Sequence, residues 1–314
     1  HSGLLCPFQR MIALGIDTSN YTTSVAWFDG KQGENAGRLL TVKSGALGLR
    51  QSDALFQHVV RLPELTEQLS DTLPEAPGAV GASERPRPIE GSYMPCFLAG
   101  CGTGKSMAAA MGCTYHGFSH QEGHLAAVLW SGGHMELMEQ RFLAWHLSGG
   151  TTELLLVEPG LRPKVIGGTE DLSAGQLIDR TGQVLGLDFP AGKAIDALSR
   201  QGEAKPYAIK VRDMHFSLSG MQNKAAAMAK ESPANTARFV LECLIYAIEK
   251  ATEQARAVYG PLPAVFTGGV SSNRLLRERM EPAGGIFGTP ACSTDNAMGI
   301  AVLTWLAENQ SHGT

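Results

Sequence analysis

Long apolar runs are missing from this chain. No stretch approaches the roughly 20 consecutive apolar residues that a membrane-spanning helix needs. Charge is also sparse: Asp, Glu, Lys and Arg make up 18% of the 314 residues, and the formal net charge is -4. Without a basic excess there is no broad electrostatic footprint for nucleic acid, so such a contact would rest on a local patch or on a partner. The six cysteines, Cys6, Cys96, Cys101, Cys113, Cys243 and Cys292, are scattered and lack CxxC spacing. They read as buried thiols in a reducing compartment, not as a disulfide framework. The opening "HSGLLCPFQR" has neither the charged start nor the long apolar core of a secretory leader. A soluble, cytoplasmic protein with no membrane partner is expected.

What the chain does hold is apolar material, at 43%, and 37 glycines. That composition excludes disorder, supplies a core for one large or two compact units, and provides turns that can close tightly around a ligand. "MIALGID" (Met11 to Asp17) and "TSVAWFD" (Thr23 to Asp29) read as strands joined by a small polar turn. Ser52 is expected to cap a helix with Leu55, Val59, Leu62 and Leu65 on one face. Residues 73–87 read as a proline-rich loop around a short apolar piece at Val80. "FLAWHLSGGTTELLLVEP" is strand, Gly-Gly turn, strand, and "PAVFTGGVSSNRLLRERM" is strand, Gly turn, helix. "NTARFVLECLIYAIEKATEQA" is a long helix, and "NAMGIAVLTWLAENQ" a last helix that returns to the opening lobe. Two strand–turn–strand units, each followed by helices, predict a duplicated, two-lobed α/β architecture with a cleft.

"SHQEGH" (Ser119 to His124) carries the chemistry. Ser119 and Glu122 form a capping box that starts a helix at His120. His120 and His124 then lie one turn apart and can converge on one ion, with a third ligand needed from elsewhere. A pair of surface or capping histidines is the plainer alternative. A zinc protease is excluded by one residue: its general base should follow the first histidine directly, and Gln121 stands there.

Several glycine loops accompany the histidines. "AGCGTGKS" (Ala99 to Ser106) resembles a phosphate-binding loop but opens with Ala, and its glycines could equally permit close helix packing. "SGGH" (Ser131 to His134) reads as a helix cap. "SGGT", with Ser148, Gly149 and Gly150, sits between two apolar strands where backbone N–H groups can face a phosphate. Gly268, Gly269 and Asn273 form another strand-to-helix turn on which an adenine or ribose could rest. Asp17, at the end of the first strand, is a candidate catalytic group that could hold a metal-bound water or orient phosphate. Asp179 and Asp196, on either side of "FPAG", could accept from ribose hydroxyls, or be solvated helix faces.

In order along the chain, these pieces resemble the tRNA N6-threonylcarbamoyladenosine transferases, a glycoprotease or sialoglycoprotein endopeptidase-like family. The resemblance is carried by "GIDTSNYTTSVA", "SHQEGHLAA", "LSGGTTEL", "AGQLIDRTGQVLGLDFPAG", "FSLSG", "GGVSSNRLLRERM" and "CSTDNAMGIA". It implies an actin-like ATPase fold with duplicated ribonuclease H-like subdomains. One lobe would be 11–117 plus 296–314, and the other 118–295, with the metal and nucleotide motifs. It implies that Asp295 joins His120 and His124 around a divalent Fe2+ or Zn2+. It further implies that Asp179, Gly192, Asp196 and Asn273 contact the nucleoside of ATP or an adenylate, and that Ser148, Gly149 and Gly150 face its phosphates. Mg2+ is a further candidate ion.

The implied reaction moves a threonylcarbamoyl group from its adenylate to N6 of adenosine 37 in tRNA. A paralogous partner subunit and a small ATPase would assist it, and a homodimer is an alternative assembly. Arg85, Arg87, Lys210, Arg212, Arg274, Arg277 and Arg279 are candidate contacts to tRNA phosphates, with a solvated helix face the plainer account of the last three. The chain departs from the family pattern at several places: Asn20, Tyr21 and Thr22 replace an acidic pair, Gln176 a Glu, Gln222 a Lys, and "SERPRPIEG" a Gly-Pro-Gly loop. These departures describe a divergent paralogue. The alternatives are a nucleotide- and metal-binding regulatory paralogue without transfer activity, or an ATP-dependent small-molecule enzyme.

Overall fold

The computed structural model describes residues 11–19, 21–42 and 49–311. The readings of the first ten residues, Cys6 among them, and of Asn20 lie outside these. The chain forms two compact units, one running to Trp130 and resuming at Asp295, the other spanning Ser131–Thr294. In chain order the first holds β1 (Ala13–Thr18), β2 (Thr22–Phe28), β3 (Gly33–Leu39), α1 (Gln51–Ser70), β4 (Ala79–Arg85), α2 (Phe97–Met111), β5 (Thr114–Ser119) and most of α3 (His120–Gly132). The second contains β6 (Phe142–Leu147), β7 (Thr152–Glu158), β8 (Arg162–Thr169), α4 (Ala174–Val184), α5 (Gly192–Ser199), β9 (His215–Phe216) and α6 (Ser219–Met228). It continues with α7 (Pro233–Tyr259), β10 (Ala264–Thr267), α8 (Arg274–Met280), β11 (Gly285–Phe287) and α9 (Pro290–Ser293), and α10 (Met298–Ser311) closes the first unit.

The first sheet has the order β3-β2-β1-β4-β5. β1 pairs antiparallel with β2, and β2 with β3, whereas β1–β4 and β4–β5 are parallel. The second sheet repeats this plan as β8-β7-β6-β10-β11, with β9 added beside β8. Again the two hairpin pairs are antiparallel and the two crossover pairs parallel. The duplication expected from the two strand–turn–strand units is therefore present in the hydrogen bonding. Each half is a ribonuclease H-like sheet.

Burial explains why the central strands are mostly apolar. β1 and β2 are buried at every residue, because α1 and α2 cover one face of their sheet and α10 the other. In the second unit α7 supplies the largest part of the core, with Phe239, Val240, Leu244, Ile248 and Ala251 packed with Trp145 and Phe266.

α10 lies close to its neighbours because small residues line the contact. A Cβ on Gly299 would overlap the carbonyl oxygen of Gly123 in α3, and a Cβ on Gly123 would stand 2.9 Å from Ile300. This close approach of α3 and α10 places the boundary after Trp130 and puts Asp295 in the first unit. The sequence-based boundaries, 117/118 and 295/296, had assigned the histidine helix to the other lobe.

Several local expectations are corrected. α1 starts at Gln51 with Arg50 at its cap, so Ser52 lies inside the helix. Its buried face is Ala54, His58, Leu62, Leu65 and Leu69, and Val59 is 56% exposed. "AGCGTGKS" lies wholly within α2 and cannot form a phosphate loop. Instead Gly100 and Gly104 let α2 pack on Thr18, Ile16 and Tyr115. β4 stands inside the stretch expected to be a proline-rich loop, and β3, β5 and β8 were not foreseen. β4 was hidden among flanking prolines, and β5 is half exposed, which blurs its pattern. No described helix is long and apolar enough to cross a membrane.

Candidate metal centre and nucleotide loops

The sheet order fixes where chemistry can occur. β1, β4 and β5 run parallel, so their carboxyl ends share one edge, where open α/β sheets bind ligands. Asp17 is near the end of β1, and His120 follows β5 directly. α3 starts as expected: Ser119 N–H donates to Glu122 Oε2 at 2.7 Å, and Glu122 N–H donates to Ser119 Oγ at 3.2 Å.

Asp295, remote in sequence, completes a cluster with the two histidines. His120 Nε2 and His124 Nε2 are 2.9 Å apart, His124 Nε2 is 3.1 Å from Asp295 Oδ1, and His120 Nε2 is 3.5 Å from the same oxygen. Donors about 2.1 Å from one ion are about 3.0 Å apart at right angles and about 3.4 Å apart at tetrahedral angles. The observed triangle spans that interval, so the donor set fits a single divalent ion. Two imidazoles and a carboxylate suit Zn2+ or Fe2+. Among the described residues this is the one such cluster of three or more ligating side chains.

Asp17 does not face solvent. It is fully buried, and its Oδ1 accepts from His120 Nδ1 at 2.9 Å. Its Oδ2 is buried without a hydrogen-bond partner. Burial opposes charging of His120, but the carboxylates of Asp17 and Asp295 outweigh it and push the imidazole up to about 10. Burial likewise opposes ionisation of Asp295, and its bonds to His120 and His124 hold it well below the usual carboxylate range.

These shifts have opposite consequences with and without a metal. In metal-free protein the charged pair stabilises the fold below the ordinary imidazole value of 6.5 and ceases to as pH rises through about 10. An ion needs the neutral Nε2, so loading must expel the His120 proton. Zn2+ binding at pH 7 is therefore expected to release about one proton, with affinity falling about tenfold per unit as pH is lowered toward 6. Calorimetry in buffers of different ionisation enthalpy measures that release.

His58 is a residue that sequence reasoning passed over. It is fully buried on α1, with Nδ1 2.8 Å from Thr23 Oγ1 and Nε2 2.8 Å from the Ser19 carbonyl. Nε2–H donates to the carbonyl, Thr23 Oγ1 can donate to Nδ1 of the neutral ring, and burial, which lowers the pKa, favours that neutral form. It staples both ends of the turn after β1. The available signal was one polar residue on the apolar stripe of a helix.

In the second unit, Ser148, Gly149 and Gly150 follow β6, and Gly268 follows the adjacent parallel β10. Gly268 has φ +89°, and a Cβ there would overlap the Leu147 carbonyl, so the fold itself requires glycine. Gly149, Gly150, Gly192 and Gly269 differ: a Cβ on each would meet nothing within 4 Å. The amino end of α4 closes on the first loop, with Ser173 Oγ donating to the Gly149 carbonyl at 2.8 Å and Gly175 N–H to the Ser148 carbonyl at 3.2 Å.

The proposed nucleoside residues also tie helices together. Asp179 Oδ1 accepts from Ala191 N–H at 2.8 Å, Asp196 Oδ1 from Arg274 N–H at 3.2 Å, and Asn273 Oδ1 caps α8 through Leu276 N–H at 3.0 Å. Asp179 and Asp196 are thus helix-end acceptors, and neither is merely a solvated helix face. Of the candidate basic contacts, Lys210, Arg212 and Arg274 are exposed and Arg85 and Arg87 half-buried. Arg277 donates to the Ser271 and Gly288 carbonyls and lies over Phe287, while Arg279 pairs with Glu242 and Glu249. The last two belong first to the fold.

A family model described as tRNA N6-adenosine threonylcarbamoyltransferase matches residues 53–302. The chain belongs to that family. A curated threonylcarbamoyltransferase of Thermus thermophilus is 30% identical, covering 94% of this chain and 92% of its own. One of Thiobacillus denitrificans is 29% identical over 88% and 84%. Among solved structures, the activator of the 2-hydroxyisocaproyl-CoA dehydratase from Clostridium difficile, with bound ADPNP, has TM-score 0.57 at 12% identity, covering 96% of this chain and 97% of its own. Full-length HypF in its phosphate- and nucleotide-bound form has TM-score 0.60 at 12% identity, covering 96% and 55%. At such identities the likeness concerns fold alone. That fold, the actin-like ATPase architecture, agrees with the duplicated sheets, so this member of the threonylcarbamoyltransferase family keeps the architecture its motifs implied.

Proposed function

We propose that this chain transfers a threonylcarbamoyl group from threonylcarbamoyl-adenylate to N6 of adenosine 37 in tRNA. The observation that carries the reading is the convergence of His120, His124 and Asp295 within 4.8 Å in a chain of this family. The family match supports transfer over a regulatory paralogue or a small-molecule enzyme.

In the reaction the adenine amine attacks the carbamoyl carbon of the mixed anhydride. The C–O bond to phosphate breaks, AMP leaves with that electron pair, and the amine gives up a proton. His120, His124 and Asp295 would hold the divalent ion, Fe2+ or Zn2+, with Mg2+ as a further candidate. That ion supplies a Lewis acid for a carbonyl or phosphate oxygen. The open approach at Gly149 and Gly150 would admit the adenylate phosphate, with Ser148 at the edge of the same loop. Gly192, Gly268 and Gly269 would border the nucleoside, and Asp179, Asp196 and Asn273, already fixed by helix ends, would offer oxygens to the ribose and base. The two solved structures, one with bound ADPNP and the other in a phosphate- and nucleotide-bound form, support a nucleotide in this fold. A paralogous subunit and a small ATPase are the proposed partners, in the cytoplasm.

The test supplies the adenylate, unmodified tRNA, a divalent metal and candidate partners, and follows nucleoside mass. Adenosine heavier by one threonylcarbamoyl group is the expected result. Unmodified adenosine under every combination would overturn the proposal.

A further inference from the structure

The buried position of Asp17 needs an explanation that transfer chemistry does not supply. Its backbone stands opposite Ser24 in the β1–β2 ladder, and the pairing of β1 with β4 reaches Ile16 beside it. The next residue, Thr18, accepts from Gly100 N–H at 3.1 Å and donates to the Cys96 carbonyl at 3.0 Å. The His58 clamp then fixes the chain at Ser19 and Thr23. The strand on either side of Asp17 is held, and its carboxylate points in one direction. That direction is the Nδ1 edge of His120, at 2.9 Å.

We infer that Asp17 is a positioning residue that fixes His120 in its Nδ1–H tautomer and so presents Nε2 to the metal. This rests on the metal reading of the triad. A free imidazole shares its single N–H between two nitrogens and rotates. A carboxylate can only accept, so it demands the proton on the nitrogen facing it and leaves the other lone pair for the ion. Asp17 and Asp295 also carry two formal negative charges, which balance a divalent ion. The unpartnered Oδ2 of Asp17, buried beside this cluster, marks a carboxylate kept in the interior for more than packing. Asp17 reaches the triad through one hydrogen bond, to His120 Nδ1. It acts through His120.

The experiment compares wild type and Asp17→Asn as full-length chains, stripped and reloaded with Zn2+, reading the dissociation constant by chelator competition and the unfolding midpoint of the stripped proteins. Asparagine matches the shape but can offer an N–H to Nδ1, which moves the imidazole proton to Nε2. The expected result is Zn2+ binding weakened about 10- to 100-fold, together with a lower midpoint of the stripped protein because the buried pair with His120 is broken from one side. Equal affinity in the two proteins would overturn the inference. Because the variant could fail to fold, histidine 15N NMR of Zn2+-loaded wild type gives a second reading. A protonated Nδ1 on His120 supports the inference, and a protonated Nε2 overturns it. Wild type that takes up no Zn2+ removes the metal reading itself, and the inference with it.

Discussion

Replacing both imidazoles, His120→Ala with His124→Ala, should reduce bound divalent metal from about one ion per chain to near zero. Three donors on one ion act together, and two of them vanish. The double variant carries a second consequence. With His120 gone, Asp17 remains buried at 0% exposure without its partner. Breaking a buried pair from one side costs about 3–5 kcal/mol, so a lower unfolding midpoint should accompany the metal loss. Asp295→Asn separates the two effects, because Asp295 is 30% exposed at its side chain and does not leave Asp17 alone. It should lose metal while keeping most of the stability. Metal retained by both variants would show that the ion sits elsewhere.

Gly299→Ala should be the most damaging small substitution in the first unit. By helix propensity alone, alanine in α10 would gain about 1 kcal/mol over glycine. The packing reverses the sign, since the new Cβ would overlap the Gly123 carbonyl, a backbone atom that cannot rotate away. Overpacking of this kind costs about 1–3 kcal/mol and at times more, and the upper end is expected here. The geometry adds a functional loss. Gly123 stands next to His124, and Gly299 lies four residues beyond Asp295, so separating α3 from α10 pulls the third ligand from the first two. Chemical denaturation and Zn2+ affinity should both fall. A stabilised protein with unchanged affinity would contradict the close-contact account.

This pair of glycines also shows what the sequence could and could not say. The Ser119–Glu122 box and the one-turn spacing of the histidines are local, and both were legible from residue types alone. Asp295 was not. Spacing demanded a third ligand, and only resemblance to a family supplied it, because His124 and Asp295 are 171 residues apart and meet only through the packing of α3 and α10. The duplicated sheet was visible in its antiparallel hairpins, whose strands are adjacent and rich in apolar residues. The crossover strands β4 and β5 were missed, since prolines and partial exposure masked their alternation. Asp17 was legible as important but not as buried. Its role depends on a bond to His120 103 residues away. The phosphate-loop likeness in α2 failed for the opposite reason: a short pattern matched while the helix around it, stabilised by packing on β1 and β4, overrode the turn it would need.

The account joins one ion to one transfer, and a single titration tests that link. Metal-stripped protein is given threonylcarbamoyl-adenylate, unmodified tRNA and its partners, a divalent ion is added stepwise, and modified adenosine is read by mass. The account predicts product that rises with occupancy and levels off near one ion per chain. Full product in stripped protein, or none at full occupancy, would contradict it.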